Sequence, residues 1–315
     1  MLYILTEGGD GIGIGHITRC SALYEKALEY KLESKFIVFG KNINKILKKY
    51  NHEIREWKDV TYLSALITKD DYVIIDSYLA SIEIYELVSK LAKRVVYIDD
   101  NMRLNYPKGI VVNPSLYGNE LNYPKKEEVE YLLGKDYIIL RKEFEEKKKD
   151  FKKKKQEIEK ILITLGGTDI RNLIPKLLKI LRNIDEDFKI KVIVRDSYSN
   201  LKEILEEKTL NTKLLYNLEA SNMEKEMEES DLVISACGQT IYELLAVGTS
   251  FIPIVIIENQ SNNAVGLKNL KIFDKILNYT EIDTKFNLNL KNKKTIEIKN
   301  GANKILSILI GEKNV

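Results

Sequence analysis

Short runs of β-branched and other apolar residues recur along the chain, separated by stretches in which apolar positions return every three or four residues. Residues 2–5, 35–39, 72–76, 94–98 and 109–112 have the length and continuity of strands buried on both faces. Residues 21–28, 42–50 and 82–93 lie between them with helical spacing. The alternation predicts a parallel sheet with helices on both of its faces. From Glu143 to Lys160 almost every residue is charged, and this stretch reads as a linker. The pattern then restarts. Strands are expected at 161–165, 189–194, 212–216, 232–235 and 251–256, with helices at 173–183, 201–207, 223–229 and 240–247. A final helix over 302–310 is apolar on one face and is suited to pack back across the domain junction. The expected organisation is a first domain over 1–145, a charged linker over 146–160, a second domain over 161–300 and a C-terminal helix within 301–315. Residues 281–300, rich in Asn, Lys and Thr, carry no functional signal.

Composition narrows the class of protein. A hydrophobic content of 44% supports a substantial core. The first residues run straight into a Gly-rich segment without a secretory pattern, and no apolar run is long enough to cross a bilayer. Cys20 and Cys237 lie far apart, giving neither a disulfide framework nor metal-ligand spacing. The expectation is a reduced, cytoplasmic protein that needs no metal and no other cofactor and does not insert into a membrane. The net charge of +3 is the difference between 50 basic and 47 acidic residues, which argues against a nucleic-acid partner. The lysines at 147–149 and 152–155 have acids on both sides and fit a solvated helix or linker.

The candidate chemistry gathers where strands are expected to end. Between the first strand and the first helix lies Glu7-Gly-Gly-Asp-Gly-Ile-Gly-Ile-Gly-His16, followed by Ile-Thr-Arg19-Cys20. A Gly-rich turn at this point lets a ligand approach the backbone and aims helix N–H groups at an anion. His16, one of two histidines, stands at the end of the turn, where a neutral imidazole can accept a proton. A tight turn with a capping histidine is the structural alternative. Asp76-Ser-Tyr78, Asp99-Asp100 and Asn113-Pro114 end later strands, as a binding cleft requires and as ordinary turn chemistry also allows. In the second half, Gly166-Gly167-Thr168 repeats the logic of the first loop and is suited to receive a phosphate at the following helix. Glu243 follows Thr240 by three residues, a spacing that favours a capping box; the alternative is a carboxylate that accepts bonds from both ribose hydroxyls.

Read together and in order, Gly11-Ile-Gly13-Ile-Gly15-His16-Ile-Thr-Arg19-Cys20, Leu165-Gly-Gly-Thr-Asp169, the stretch from Ile234 through Cys237-Gly238-Gln-Thr240 and Glu243 to Thr249, and Asn259-Gln260 resemble a known family. They are similar to the UDP-sugar hydrolases of the pseudaminic acid pathway, which act on UDP-2,4-diacetamido-2,4,6-trideoxy-β-L-altropyranose. These are relatives of the MurG-type glycosyltransferases. The resemblance implies a GT-B fold, an α/β architecture in which two Rossmann-like parallel-sheet domains face a central cleft. It implies His16 as the general base for water, with Tyr78 and Asn259 as further active-site residues. It also implies that Glu243 holds the ribose and that Gly166, Gly167 and Thr168 lie against the pyrophosphate. Gly13, Gly15, Arg19, Arg141, Gly238, Thr240 and Gln260 complete the implied substrate-binding set. The chain departs from the family pattern at residues 7–10, on the sugar side of the implied site. The implied partner is a small UDP-sugar. A GT-B glycosyltransferase using the same donor is the alternative, and a nucleotide-sugar-binding protein without turnover is a third reading. No apolar and basic patch suited to a membrane acceptor is evident in the first half, which favours a soluble substrate.

Overall fold

The structure, a computed structural model, describes residues 1–145, 157–196 and 198–312; residues 146–156 of the expected linker fall outside them. The chain forms two compact units, Met1–Lys142 with Lys299–Val315, and Glu143–Ile298.

In the first unit the strands are β1 (Leu2–Gly9), β2 (Ser34–Lys41), β3 (His52–Ile54), β4 (Tyr72–Asp76), β5 (Arg94–Ile98), β6 (Gly109–Asn113) and β7 (Val129–Leu133). The helices are α1 (Gly15–Glu29), α2 (Asn44–Leu47), α3 (Val60–Leu66) and α4 (Ile82–Leu91). The strands make one parallel sheet in the order β3-β2-β1-β4-β5-β6-β7. Alternate residues of each inner strand enter different cores. Leu2, Ile4, Ile74, Val96 and Ile98 join one cluster, while Tyr3, Leu5, Val73, Ile75, Val95 and Tyr97 join the other. Both faces are therefore apolar, which is why these strands read as unbroken hydrophobic runs.

The second unit contains β8 (Lys160–Thr164), α5 (Leu173–Ile184), β9 (Lys189–Val194), α6 (Leu201–Glu207), β10 (Thr212–Tyr216), α7 (Ala220–Glu229) and β11 (Leu232–Ala236). It continues through α8 (Thr240–Val247), β12 (Phe251–Val255), α9 (Ser261–Asn269), β13 (Leu277–Asn278) and α10 (Ile282–Lys285). Its parallel sheet has the order β10-β9-β8-β11-β12-β13. The last helix, α11 (Ala302–Ile310), belongs to the first unit: Ala302, Ile305, Leu306 and Leu309 enter the same core as the Ile17, Cys20 and Leu23 face of α1.

The elements differ from the sequence reading in several places. α1 begins at Gly15, so His16 lies within its first turn instead of at the end of a preceding loop. The short strands β3 and β7 at the edges of the first sheet, and the two-residue β13, were not expected. Edge strands carry polar and half-buried positions, as in Val-Glu-Tyr-Leu-Leu of β7, and lack the continuous apolar signature of inner strands.

One close approach fixes how β1 delivers the Gly-rich loop. Gly8 and Gly40 are partners across β1 and β2. A Cβ on Gly40, at φ +154°, would stand 1.7 Å from the Gly8 carbonyl oxygen. Gly40→Ala is therefore expected to destabilise the protein by on the order of 3 kcal/mol. At Gly11 (φ +76°) an added Cβ meets nothing within 4 Å. Gly11→Ala carries only the backbone penalty of roughly 1 kcal/mol. Urea unfolding of the two variants checks the difference; equal losses would contradict it.

Candidate active site

In each sheet the chain order reverses at one place. In the first unit β1 pairs with β2 on one side and with β4 on the other. Loops leaving the carboxyl ends of β1 and β4 therefore diverge, and such a crevice is where open α/β sheets take ligands. The Gly-rich loop leaves β1, and Ser77-Tyr78-Leu79 leaves β4.

The Gly-rich loop is closed by reciprocal backbone bonds of 2.8 Å between Gly9 and Gly13. At Gly11, Gly13 and Gly15 the space a side chain would fill is open. This leaves the backbone before α1 approachable. His16 and Arg19 stand three residues apart on α1 and so share a face. Both turn to the end of β4. His16 Nδ1 lies 2.7 Å from Asp76 Oδ1. Arg19 donates from Nε to Asp76 Oδ2 at 2.6 Å and from Nη2 to Asp76 Oδ1 at 2.6 Å. Its Nη1 is held by both oxygens of Asp100, at 2.7 and 2.8 Å. The Tyr78 hydroxyl donates to Asp100 Oδ2 at 2.7 Å, and its ring meets His16 edge-on, with centroids 4.7 Å apart.

Electrostatics assign the protons. Asp76 is fully buried, and burial alone opposes its charge; the Arg19 guanidinium and His16 overcome that and hold its carboxyl well below the usual range. Burial, reinforced by Asp100, pushes the Tyr78 phenol up, so it stays a hydrogen-bond donor. Burial, with Asp76 adding to it, likewise raises the Cys20 thiol, 3.5 Å from Asp76. An ionised carboxylate beside Nδ1 places the imidazole proton there and leaves Nε2 with its lone pair. No protein hydrogen bond engages Nε2 among the described residues. The geometry thus orients the His16 ring with Nε2 directed away from Asp76.

The structure gives Arg19 a role other than the expected substrate contact. Arg19 is 6% exposed, and its donors are directed at Asp76 and Asp100; Nη2 also lies 3.4 Å from His16 Nδ1, which, carrying the proton, does not accept from it. Three acids have roles that the sequence reading did not assign. It named Asp76 and Asp100 as strand-end residues that fit a cleft or ordinary turns, and Glu7 as the head of the Gly-rich stretch. Glu7 is 1% exposed, and its carboxylate accepts from the Ser77 hydroxyl, Tyr78 N–H at 2.6 Å and Leu79 N–H at 3.1 Å. It fixes the loop that carries Tyr78. Arg141 is half-buried and follows Leu140, whose N–H and C=O are both bonded to Asn300.

In the second unit the reversal falls between β8 and β11, which pair directly. Residues 166–168 leave β8, Cys237-Gly238 leaves β11, and Asn259-Gln260 leaves the neighbouring β12. Gly166, at φ +91°, has open space where a side chain would stand, and its carbonyl accepts from Tyr198 at 2.7 Å. Gly167 is half-buried and Thr168 exposed. The expected phosphate seat at the following helix is corrected: the Asp169 carboxylate takes the Leu173 and Ile174 N–H groups at 2.9 Å, which occupies the start of α5. The capping box at Thr240 and Glu243 is also corrected. Thr240 is the first helical residue of α8, Gln239 is the cap, and no side-chain cap bond forms. Glu243 is 4% exposed. Gln260 accepts from Ile256 N–H at 2.9 Å, and its Nε2 lies 3.6 Å from the point where a Cβ on Gly238 would be. Asn259 is exposed. Asn263, unnoticed in the sequence, donates to the Cys237 carbonyl at 2.9 Å and accepts from Tyr242 at 2.6 Å, bracing the turn before α8.

Among the described residues no helix is long and apolar enough to cross a membrane, and no cluster of three or more His, Cys, Asp or Glu is placed to hold a metal ion.

Comparison with known proteins agrees with this architecture. Residues 160–301 match the glycosyltransferase family 28 C-terminal domain. The chain is 29% identical over 271 residues to an uncharacterized protein of Methanocaldococcus jannaschii, a match covering 81% of this chain and 55% of that protein. It is 27% identical over 204 residues to the UDP-2,4-diacetamido-2,4,6-trideoxy-beta-L-altropyranose hydrolase of Campylobacter jejuni, covering 63% of this chain and 71% of that one. Among solved structures, MurG of Acinetobacter baumannii superposes with a TM-score of 0.55 at 13% identity, covering 98% of this chain and 90% of that one. A UDP co-structure of MnaA from S. aureus gives 0.57 at 13% identity, covering 99% and 98%. The fold is GT-B, with parallel sheets of 7 and 6 strands.

Proposed function

We propose that this protein is a UDP-sugar hydrolase that cleaves the bond between the anomeric carbon and the UDP oxygen with inversion. The observation that carries the reading is the His16–Asp76 pair at the reversal point of the first sheet, with Nδ1 engaged and Nε2 available. His16 Nε2 accepts a proton from water as the water oxygen bonds to the anomeric carbon. The carbon–oxygen bond to UDP breaks at the same time, and its electron pair leaves on the β-phosphate oxygen. The second unit supplies the nucleotide grip. In this reading the diphosphate lies against residues 166–168 and the start of α8, which has no side-chain cap. Glu243 accepts the ribose hydroxyls. The name of the Campylobacter relative supports a UDP-diacetamido-trideoxyhexose as the substrate class, and the motif resemblance supports a place in nonulosonic acid biosynthesis.

The glycosyltransferase family 28 match favours a second reading, in which the same base deprotonates an acceptor hydroxyl. The two separate in one assay. A hydrolase releases UDP from a panel of UDP-sugars without acceptor, whereas a transferase releases it only when an acceptor is added. The nucleotide grip is tested apart from the chemistry: Glu243→Gln is expected to weaken UDP binding by about tenfold in calorimetry. Unchanged affinity would remove Glu243 from the ribose.

A further inference from the structure

Arg19 presents a difficulty for the hydrolase chemistry. A carboxylate helps a catalytic imidazole by stabilising the positive charge that forms when the ring takes a proton. Asp76 is also bound by Arg19 through two donors at 2.6 Å. An Asp76–Arg19 pair alone is close to neutral and offers an imidazolium little. Asp100 alters that balance. It grips the other side of the same guanidinium with both oxygens and is fixed in turn by the Tyr78 hydroxyl.

We infer that Asp100 is a positioning residue of this reaction, countering the Arg19 charge so that the group linked to His16 stays net negative and the Asp76 carboxylate remains effective for the imidazolium. The inference rests on the hydrolase reading for its kinetic consequence but not for its electrostatic one. The groups facing His16 are few. From α1 come Arg19 and, against Asp76, the Cys20 thiol; from β4 and its loop come Asp76 and Tyr78; from the end of β5 comes Asp100. Glu7 of β1 is turned to Ser77, Tyr78 and Leu79. Tyr78 and Cys20 stay protonated, since burial raises both. Arg19 with two carboxylates leaves the linked group at one net negative charge, and removing Asp100 takes it to zero. Tyr78, held by Asp100 and packed edge-on against the ring, also keeps the imidazole in place.

The test is Asp100→Asn in the full chain, read in two ways. The first follows the His16 ring-proton resonance through a pH titration by NMR; with two histidines in the sequence, His52→Gln identifies the signal. The second follows UDP release against pH. The expected result is that the midpoint of the resonance titration and that of the acid limb of the rate both move down by about one pH unit. At neutral pH kcat falls by about tenfold, with KM changed by less than about twofold. Asp100→Glu, which keeps the charge, returns both midpoints towards the parent. Arg19→Gln combined with Asp100→Asn restores one net negative charge and does the same; this pair serves if Asp100→Asn alone does not fold. An unmoved resonance in Asp100→Asn, or a raised KM with an unmoved acid limb, overturns the inference. A parent protein that releases UDP from no donor sinks the hydrolase reading, and the NMR arm then still decides the charge balance.

Discussion

The His16→Leu variant is expected to lose turnover by on the order of 10²–10⁴-fold while binding UDP as the parent does. Leu fills much of the imidazole's volume, so the edge-on neighbour Tyr78 keeps a packing partner. Asp76 loses one bond but retains both from Arg19, so its charge stays compensated. The stability cost is therefore small, about 1 kcal/mol. What disappears is the lone pair on Nε2. Initial rates of UDP release and calorimetric UDP affinity separate these effects. A variant with parental turnover would remove His16 from the chemistry.

Asp76→Asn is expected to damage both activity and stability. Its side-chain amide is able to donate towards Nδ1, which favours the tautomer with the proton on Nε2 and blocks base catalysis. A loss approaching about 10⁴-fold is known for such a change in the Ser-His-Asp arrangement. Arg19, 6% exposed, also loses its partner charge on one side and keeps only Asp100. Breaking a buried pair in this way costs about 3 kcal/mol. The pH dependence carries a definite sign. Burial raises the Asp76 carboxyl, but Arg19 and His16 together hold it well below its ordinary value of 3.8. Its stabilising contribution is thus fully present above that value and is lost as pH falls through the depressed one. The stability gap between parent and Asp76→Asn should narrow when urea unfolding is repeated below about pH 3. A gap that widens in acid would contradict the assigned charge.

Inner strands were legible because both of their faces are buried. The stretch from Tyr72 to Asp76 shows its burial in every apolar residue, and the structure places β4 over those same residues. The edge strands β3 and β7 were not, because a half-exposed strand mixes polar and apolar positions like a loop. Within the site, His16 stood out as a rare residue type beside a Gly-rich loop. Asp76 did not, because an acid at a strand end has the same local sequence whether it caps a turn or orients a histidine. Its meaning comes from α1, 60 residues earlier in the chain. Arg19 misled for the converse reason: its motif suggests a ligand, while two distant carboxylates claim its donors. In the second unit, the spacing of Thr240 and Glu243 fits a capping box if the helix starts one residue later than it does. Asp169, four residues before Leu173, took the N–H groups that were expected to face a phosphate.

The central claim, water attack at carbon assisted by His16, is tested most directly by hydrolysis in H₂¹⁸O without an acceptor, using UDP-diacetamido-trideoxyaltrose alongside other UDP-sugars. The account predicts ¹⁸O on the anomeric carbon of the inverted free sugar, unlabelled UDP, and loss of the reaction in His16→Leu. Label in the phosphate, or no product until a glycosyl acceptor is added, would contradict it.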